Sequence, residues 1–285
     1  MTSTLPVRYK EITASGLRHE ARATTMVWRR EMIRFSHDRM RVFAMLVQPL
    51  LFLFVMGTGL ASVVRAGDGL DFRTFLFPGV LAMSVLFSAA FSGISLVWDR
   101  EFGFLREMLV APVSKAAIVV GKCLGGATTA TLQAVVLLAL AGVVGVPYHP
   151  VLLAELVVLL FIGAFMLTSM GVLLSARITQ IQAAMPASQL IIMPMMFLSG
   201  ALFPMANLPG WLAVLTKLNP LTYVVQPMRT VIFEHLDVPP AALAAFGSDV
   251  TWGGWQVPIL LQVAVAVGVT GLIVALAVAL FSRTD

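Results

Sequence analysis

The stretch Pro258–Phe281, PILLQVAVAVGVTGLIVALAVALF, decides the fold class. It carries no charged residue, and it exceeds the roughly 20 residues an α-helix needs to cross about 30 Å of hydrocarbon. Val42–Val64 has the same character. The composition agrees: of 285 residues, 59% are apolar and 12% charged, where a soluble domain is about a quarter charged. One soluble core could not hide that much apolar surface, so the sequence predicts an all-α integral membrane protein.

Working outward from that last span, six apolar segments emerge: about 42–64, 75–97, 116–146, 152–176, 188–203 and 258–281. The third is long enough to tilt or to begin outside the bilayer. The fifth is short, holds Pro194 and runs into Gly200 and Pro204, so it is expected to be broken or to end inside the membrane. Between spans five and six, 208–218 and 221–235 read as two short helices split by Asn219-Pro220, because proline opens a helix well and discourages one just before it. They are expected to cap or re-enter the outer leaflet. The chain divides into a cytoplasmic segment, 1–41, and a transmembrane domain, 42–285, without internal repeats.

Residues 1–41 carry nine Arg or Lys and four acids. Leu17, Ala21, Trp28, Met32 and Phe35 recur at helical spacing among them, the pattern of an amphipathic helix lying in the membrane interface. No secretory signal is read, since the first apolar run starts only near Val42. Fifteen Arg or Lys fall on the side of the N-terminus and four, Arg65, Arg73, Lys217 and Arg229, on the other. Positive charge stays inside, so both termini are placed in the cytoplasm. The net charge of +5 is explained by that topology and calls for no nucleic acid.

Chemistry is thinly signalled. There is no phosphate loop: Gly121-Lys122 is followed by Cys123 and lacks the earlier glycine. His19, His37, His149 and His235 are scattered without metal-ligand spacing. Cys123 is alone, which excludes an intrachain disulfide. Glu155 is the one acid read inside a span, and it lies near the end where a side chain reaches the headgroups. An ion-coupled carrier is thus a weaker reading than a pump powered from elsewhere.

The connection after span two, from Trp98 to Lys115, puts Phe102, Leu105, Met108 and Leu109 on one helical side. It reads either as a solvated loop or as a lever meeting a cytoplasmic partner. The run Leu105-Arg106-Glu107-Met108-Leu109-Val110-Ala111-Pro112-Val113-Ser114-Lys115, followed by Ile118-Val119-Val120-Gly121-Lys122, resembles the signature of ABC-2 type permeases. These are the membrane subunits of daunorubicin-resistance-like and nodulation-factor-like ABC exporters. Leu198-Ser199-Gly200-Ala201-Leu202-Phe203-Pro204, Leu208-Pro209, Leu218-Asn219-Pro220-Leu221-Thr222-Tyr223 and Arg229 are similar to that family's C-terminal pattern.

The resemblance implies six spans per subunit, two permease subunits, identical or homologous, and two ATPase subunits docked inside a bacterial inner membrane. The partner uses ATP and Mg; this chain would bind no cofactor and be no enzyme by itself. The interface helix, with Trp28, Arg29, Arg30, Met32 and Phe35, would touch the ATPase. Asp99, Arg100, Glu101, Phe102, Arg106, Glu107 and Met108 would form the coupling helix. Met193, Met195, Met196, Phe197 and Phe203 are candidates for the translocation path, with core filling as the competing reading. Spans rich in Phe, Leu, Met and Val, with only three tyrosines, point to a hydrophobic drug or lipid-like cargo rather than a polysaccharide or glycolipid. Gly57, Gly59, Gly121, Gly125 and Gly126 would permit close helix approach, between subunits or within one.

Overall fold

A computed structural model describes residues 16–61, 71–105, 108, 113–206, 208–236, 238–239, 243, 246 and 250–284. Arg106, Glu107 and Arg65 lie outside the described residues. The helices are α1 (Leu17–His37), α2 (Arg39–Leu51), a π-helical turn (Phe52–Met56), α3 (Gly57–Ala61), α4 (Phe72–Glu101), α5 (Lys115–Leu138), a 3-10 turn (Ala141–Val144), α6 (Pro150–Ser175), α7 (Ile181–Phe197), α8 (Gly210–Leu218), α9 (Thr222–Glu234) and α10 (Ile259–Thr284). Among the described residues, five segments are long and apolar enough to cross a membrane: Arg39–Gly59, Phe72–Glu101, Lys115–Leu138, Pro150–Ser175 and Ile259–Ser282. α7 is apolar but shorter, at 17 residues.

α4 is the axis of the bundle. It packs on α2, α5, α6, α7 and α9, and almost every residue from Phe72 to Val97 is buried. Its closest crossing is with α6, where a Cβ on Gly93 would run into the backbone of Gly171. α10 lies on α6, α9 and α5 and turns most of its surface outward. Between Ile259 and Phe281 only Gln262 and Thr270 break its apolar sequence, and both face inward. The remaining outward positions, among them Leu260, Val267, Leu272 and Leu276, are aliphatic, as a lipid-facing side requires.

The structure corrects several expected boundaries. The third helix stops at Leu138 rather than continuing to Val146. Gly145 takes φ 79°, which glycine tolerates without steric strain, and the hydroxyl of Thr74 donates to the carbonyl of Val144 at 2.6 Å. α2 begins at Arg39, three residues before the expected span, because Asp38 caps it by accepting from the Arg41 amide. α7 begins at Ile181 rather than Ser188 and ends at Phe197 rather than Phe203, where a turn with Gly200 at φ 71° follows. Gln182 and Pro186 made its first turns look unlike a span. The segment before α10, which neither motif determines, contains an antiparallel pair, Thr251–Trp252 with Trp255–Gln256. Gly253 and Gly254, both at positive φ, form the tight turn that such a hairpin favours.

Candidate functional site

α1 docks on α5 through a face that shares Trp28 with its apolar stripe. Leu17 and Ala21 are exposed, while Thr24, Val27, Trp28 and Glu31 sit against α5. The reason lies on α5. Gly121 and Gly125 leave a shallow groove in which an added Cβ would come within 2.7 Å of Val27 and of Glu31 respectively. Trp28 Nε1 donates to Thr128 Oγ1 at 3.1 Å, and Glu20 meets Ser114, the N-cap of α5. Gly121 and Gly125 therefore serve packing within one subunit, as does Gly126, whose added Cβ would clash with Ser92 and Thr168. A Cβ on Gly59 would meet nothing.

That docking buries a knot of charge. Lys122, 1% exposed, donates to Glu31 Oε1 at 2.6 Å and to Ser95 Oγ at 3.2 Å, and forms an ion pair with Asp99. Asp99, 2% exposed, also takes Arg30 Nη2 at 2.8 Å and has Arg34 at 3.9 Å. Arg30 continues to the sulfur of Met108 at 3.3 Å and lies over the ring of Phe104; Arg34 lies over Trp98. Three helices thus share one buried ionic cluster. Lys122, Asp99 and Glu31 have left water while Arg30 and Arg34 remain partly exposed, so the stability of the inner three depends on keeping their partners.

The coupling candidates divide. Asp99, Arg100 and Glu101 are not part of a separate lever but the last turn of α4. Arg100 donates to the carbonyls of Ser175 at 3.2 Å and Ile178 at 3.1 Å, closing the end of α6, and Glu101 accepts from the amide of Ile181 at 3.0 Å, capping the start of α7. Phe102 is exposed and precedes Gly103 at φ 82°, where the chain turns away. Arg29 is exposed, and Met32 and Phe35 are half-buried. Lys122 and Glu31 carry no assignment from sequence. A lysine seven residues into an apolar helix, and an acid on the packing stripe of α1, were the available signals.

Of the path candidates, Met193 and Phe197 are exposed on one face of α7, together with Gln182, Pro186 and Gln189. Met196 and Met195 instead face the core, and Phe203 is half-buried after the helix has ended. At the same end of the bundle, Arg229 is fully buried. Its Nη2 donates to the carbonyls of Gly200 at 2.9 Å and Ala201 at 3.3 Å, its Nη1 to Gln226 Oε1 at 3.3 Å, and its guanidinium lies 4.1 Å from the centroid of Phe75. Burial pushes its pKa down to about 9, so it remains cationic at neutral pH. His149 and His235, scattered in sequence, come together with ring centroids 5.3 Å apart. No group of three metal-ligating side chains exists among the described residues.

Residues 22–233 match the profile of the ABC-2 type transporter family. The chain belongs to that family. The match begins in α1 and ends in α9, so it takes in both the ionic cluster and Arg229. Nodulation protein J of Rhizobium leguminosarum bv. viciae is 30% identical over 207 residues, covering 71% of this chain and 79% of that protein. A protein of Cyanophora paradoxa named as a transport permease, ycf38, is 27% identical over 213 residues, 73% of this chain and 72% of its own length. YbhR of Escherichia coli strain K12, named as a multidrug ABC transporter permease, is 30% identical over 159 residues, 54% of this chain and 42% of that protein. With its spans and these relatives, the ABC-2 chain is a multi-pass transport permease.

Proposed function

We propose that this permease is the membrane subunit of an ATP-driven exporter, working with a second permease subunit and two copies of a separate ATPase. It would stand in a bacterial inner membrane with both termini inside, α7 making a sixth crossing. It would move a hydrophobic drug or lipid-like cargo outward. The ionic cluster carries this reading. Lys122, Asp99 and Glu31 tie a surface helix to α4 and α5, so force applied to α1 by a docked partner passes directly into the most buried helix of the bundle.

The contrast between α10 and α7 supports the direction of the path. From Leu260 to Leu280 α10 turns only apolar side chains outward, whereas α7 turns Gln182 and Gln189 outward beside Met193 and Phe197. Amides are expensive against hydrocarbon. A side carrying them fits a passage shared with a second subunit, and the methionine and phenylalanine beside them fit a cargo with an apolar body.

The test is reconstitution with a candidate ABC ATPase that copurifies with this chain, in proteoliposomes loaded with a fluorescent hydrophobic dye or a fluorescent phospholipid. ATP-dependent movement of either is expected, and it should stop when the ATPase is omitted. Movement driven by a proton gradient alone would defeat the proposal, and selective movement of an oligosaccharide-linked lipid would reassign the cargo.

A further inference from the structure

α7 is the least firmly seated of the inner helices. It packs chiefly on α4 and only lightly on α6, and a small apolar crevice lined by Leu86, Ala90, Leu167, Ser188 and Ile192 runs behind its middle. Its two ends are held differently. At the start, one carboxylate, Glu101, takes the amide of Ile181 from an exposed position. At the other end, the last turn of the helix and the turn that follows Phe197 are gripped from α9 and the residues before it. Asn219 Nδ2 donates to the carbonyl of Met195 at 2.7 Å, and Arg229 takes those of Gly200 and Ala201.

α9 can bear that load. Its residues from Thr222 to Phe233 are buried except Thr230, it packs on α4, α6 and α10, and it is stitched to α8 by Thr222 Oγ1 to the carbonyl of Thr216 and Tyr223 OH to that of Lys217. The chemistry of Arg229 also fits a holder of helix ends. It has no carboxylate among its contacts with the described residues; its charge rests on carbonyls of the turn that closes α7 and on the face of Phe75. A fork already spent on backbone carbonyls is poorly placed to take an anionic cargo.

We infer that Arg229 is the pin on which α7 pivots: it fixes the end of that helix against α9 and α4 while the middle of the helix tilts over its crevice. Arg229 is then a positioning residue for the outward face that holds Gln189, Met193 and Phe197. The inference concerns how one helix is anchored and does not depend on what drives transport.

Two thiol probes separate a pivot from mere packing. Ser188→Cys lies in the middle of α7 and Met196→Cys beside the pin, and both native side chains are buried. Cys123, buried at the far side of the bundle, reports general unfolding. In nanodiscs with a water-soluble maleimide, scored peptide by peptide, Ser188→Cys is expected to react about tenfold faster than Met196→Cys, since local opening governs access to buried groups. Adding Arg229→Lys keeps the charge but loses the fork, and should bring Met196→Cys up to the rate of Ser188→Cys while Cys123 stays protected. Equal rates with Arg229 in place would overturn the inference. So would continued protection of Met196→Cys in the Arg229→Lys background, or a parallel rise at Cys123.

Discussion

Two buried cations, at opposite ends of the same bundle, are accommodated in different ways. Lys122 is held by two carboxylates, Glu31 and Asp99, delivered by two other helices. Arg229 is held by carbonyl oxygens, an amide and an aromatic face. An ammonium is a compact, strongly hydrated charge and needs opposite charge when water is removed, whereas a guanidinium spreads its charge over a plane that matches carbonyls and stacks on rings. The lysine site is therefore breakable from three sides, since loss of any member strands the others. The arginine site is a one-sided grip, which can be released without leaving an anion behind. The first suits an element that must transmit force as one piece, and the second suits an anchor.

The largest effect follows from removing the ammonium. Lys122→Met leaves Asp99 and Glu31 buried without their shared partner, and a loss of about 3–5 kcal/mol is expected, read as a fall in the thermal midpoint of the purified permease. Neutralising all three, as Lys122→Met with Asp99→Asn and Glu31→Gln, should recover most of that stability while ATP hydrolysis by the docked partner loses its link to cargo movement. A triple variant as unstable as the single one would show that packing rather than charge dominates the cluster. Arg229→Met strands no carboxylate. It should cost less, about 1–3 kcal/mol for the unpaired carbonyls of Gly200 and Ala201; an equal or larger loss would erase the distinction between the two sites.

Gly125→Ala probes how the cluster is assembled. Its added methyl would lie 2.7 Å from Glu31 Cβ and 2.8 Å from Glu31 Cγ, so α1 must rise off α5 and draw Glu31 from Lys122. A loss of about 1–3 kcal/mol is expected from such overpacking, together with faster proteolysis within α1. Gly59→Ala, where nothing lies in reach, serves as the neutral control.

The helices were legible in the sequence because apolar runs and prolines act locally. Asn219-Pro220 parts α8 from α9 as read, and the amphipathic stretch before Val42 forms α1. The sites were not legible to the same degree, because they are made by distant partners. Glu31 and Lys122 are separated by 91 residues, and nothing in either neighbourhood names the other. The docking face of α1 was not legible from its apolar stripe, because it is set by Gly121, Gly125 and Lys122 on α5, so a glutamate enters the interface and Leu17 stays exposed. Met196 was grouped with Met193 and Phe197 by composition, yet it is buried in the core while those two are exposed. Lys122 was read for topology and as the end of the family signature, though its depth in an apolar helix was itself a sign of a buried partner.

The smallest effect tests the neutral counterpart of the arginine grip. Gln262, buried in α10, donates Nε2 to the carbonyl of Val257 just before that helix at 2.8 Å, again a backbone oxygen beside a helix satisfied without opposite charge. Gln262→Leu should cost about 0.5–1.5 kcal/mol, the net worth of one ordinary hydrogen bond. Gln189→Leu, on the open face of α7, should stay within about 0.5 kcal/mol of the parent in the isolated subunit, yet slow cargo movement in the assembled exporter. The pair separates two uses of the same amide: one closes a carbonyl inside a single chain, the other faces outward toward whatever lies beside α7. If the two substitutions destabilised the isolated subunit equally, Gln189 would be a packing residue, and the outward face of α7 would lose its claim to border a path.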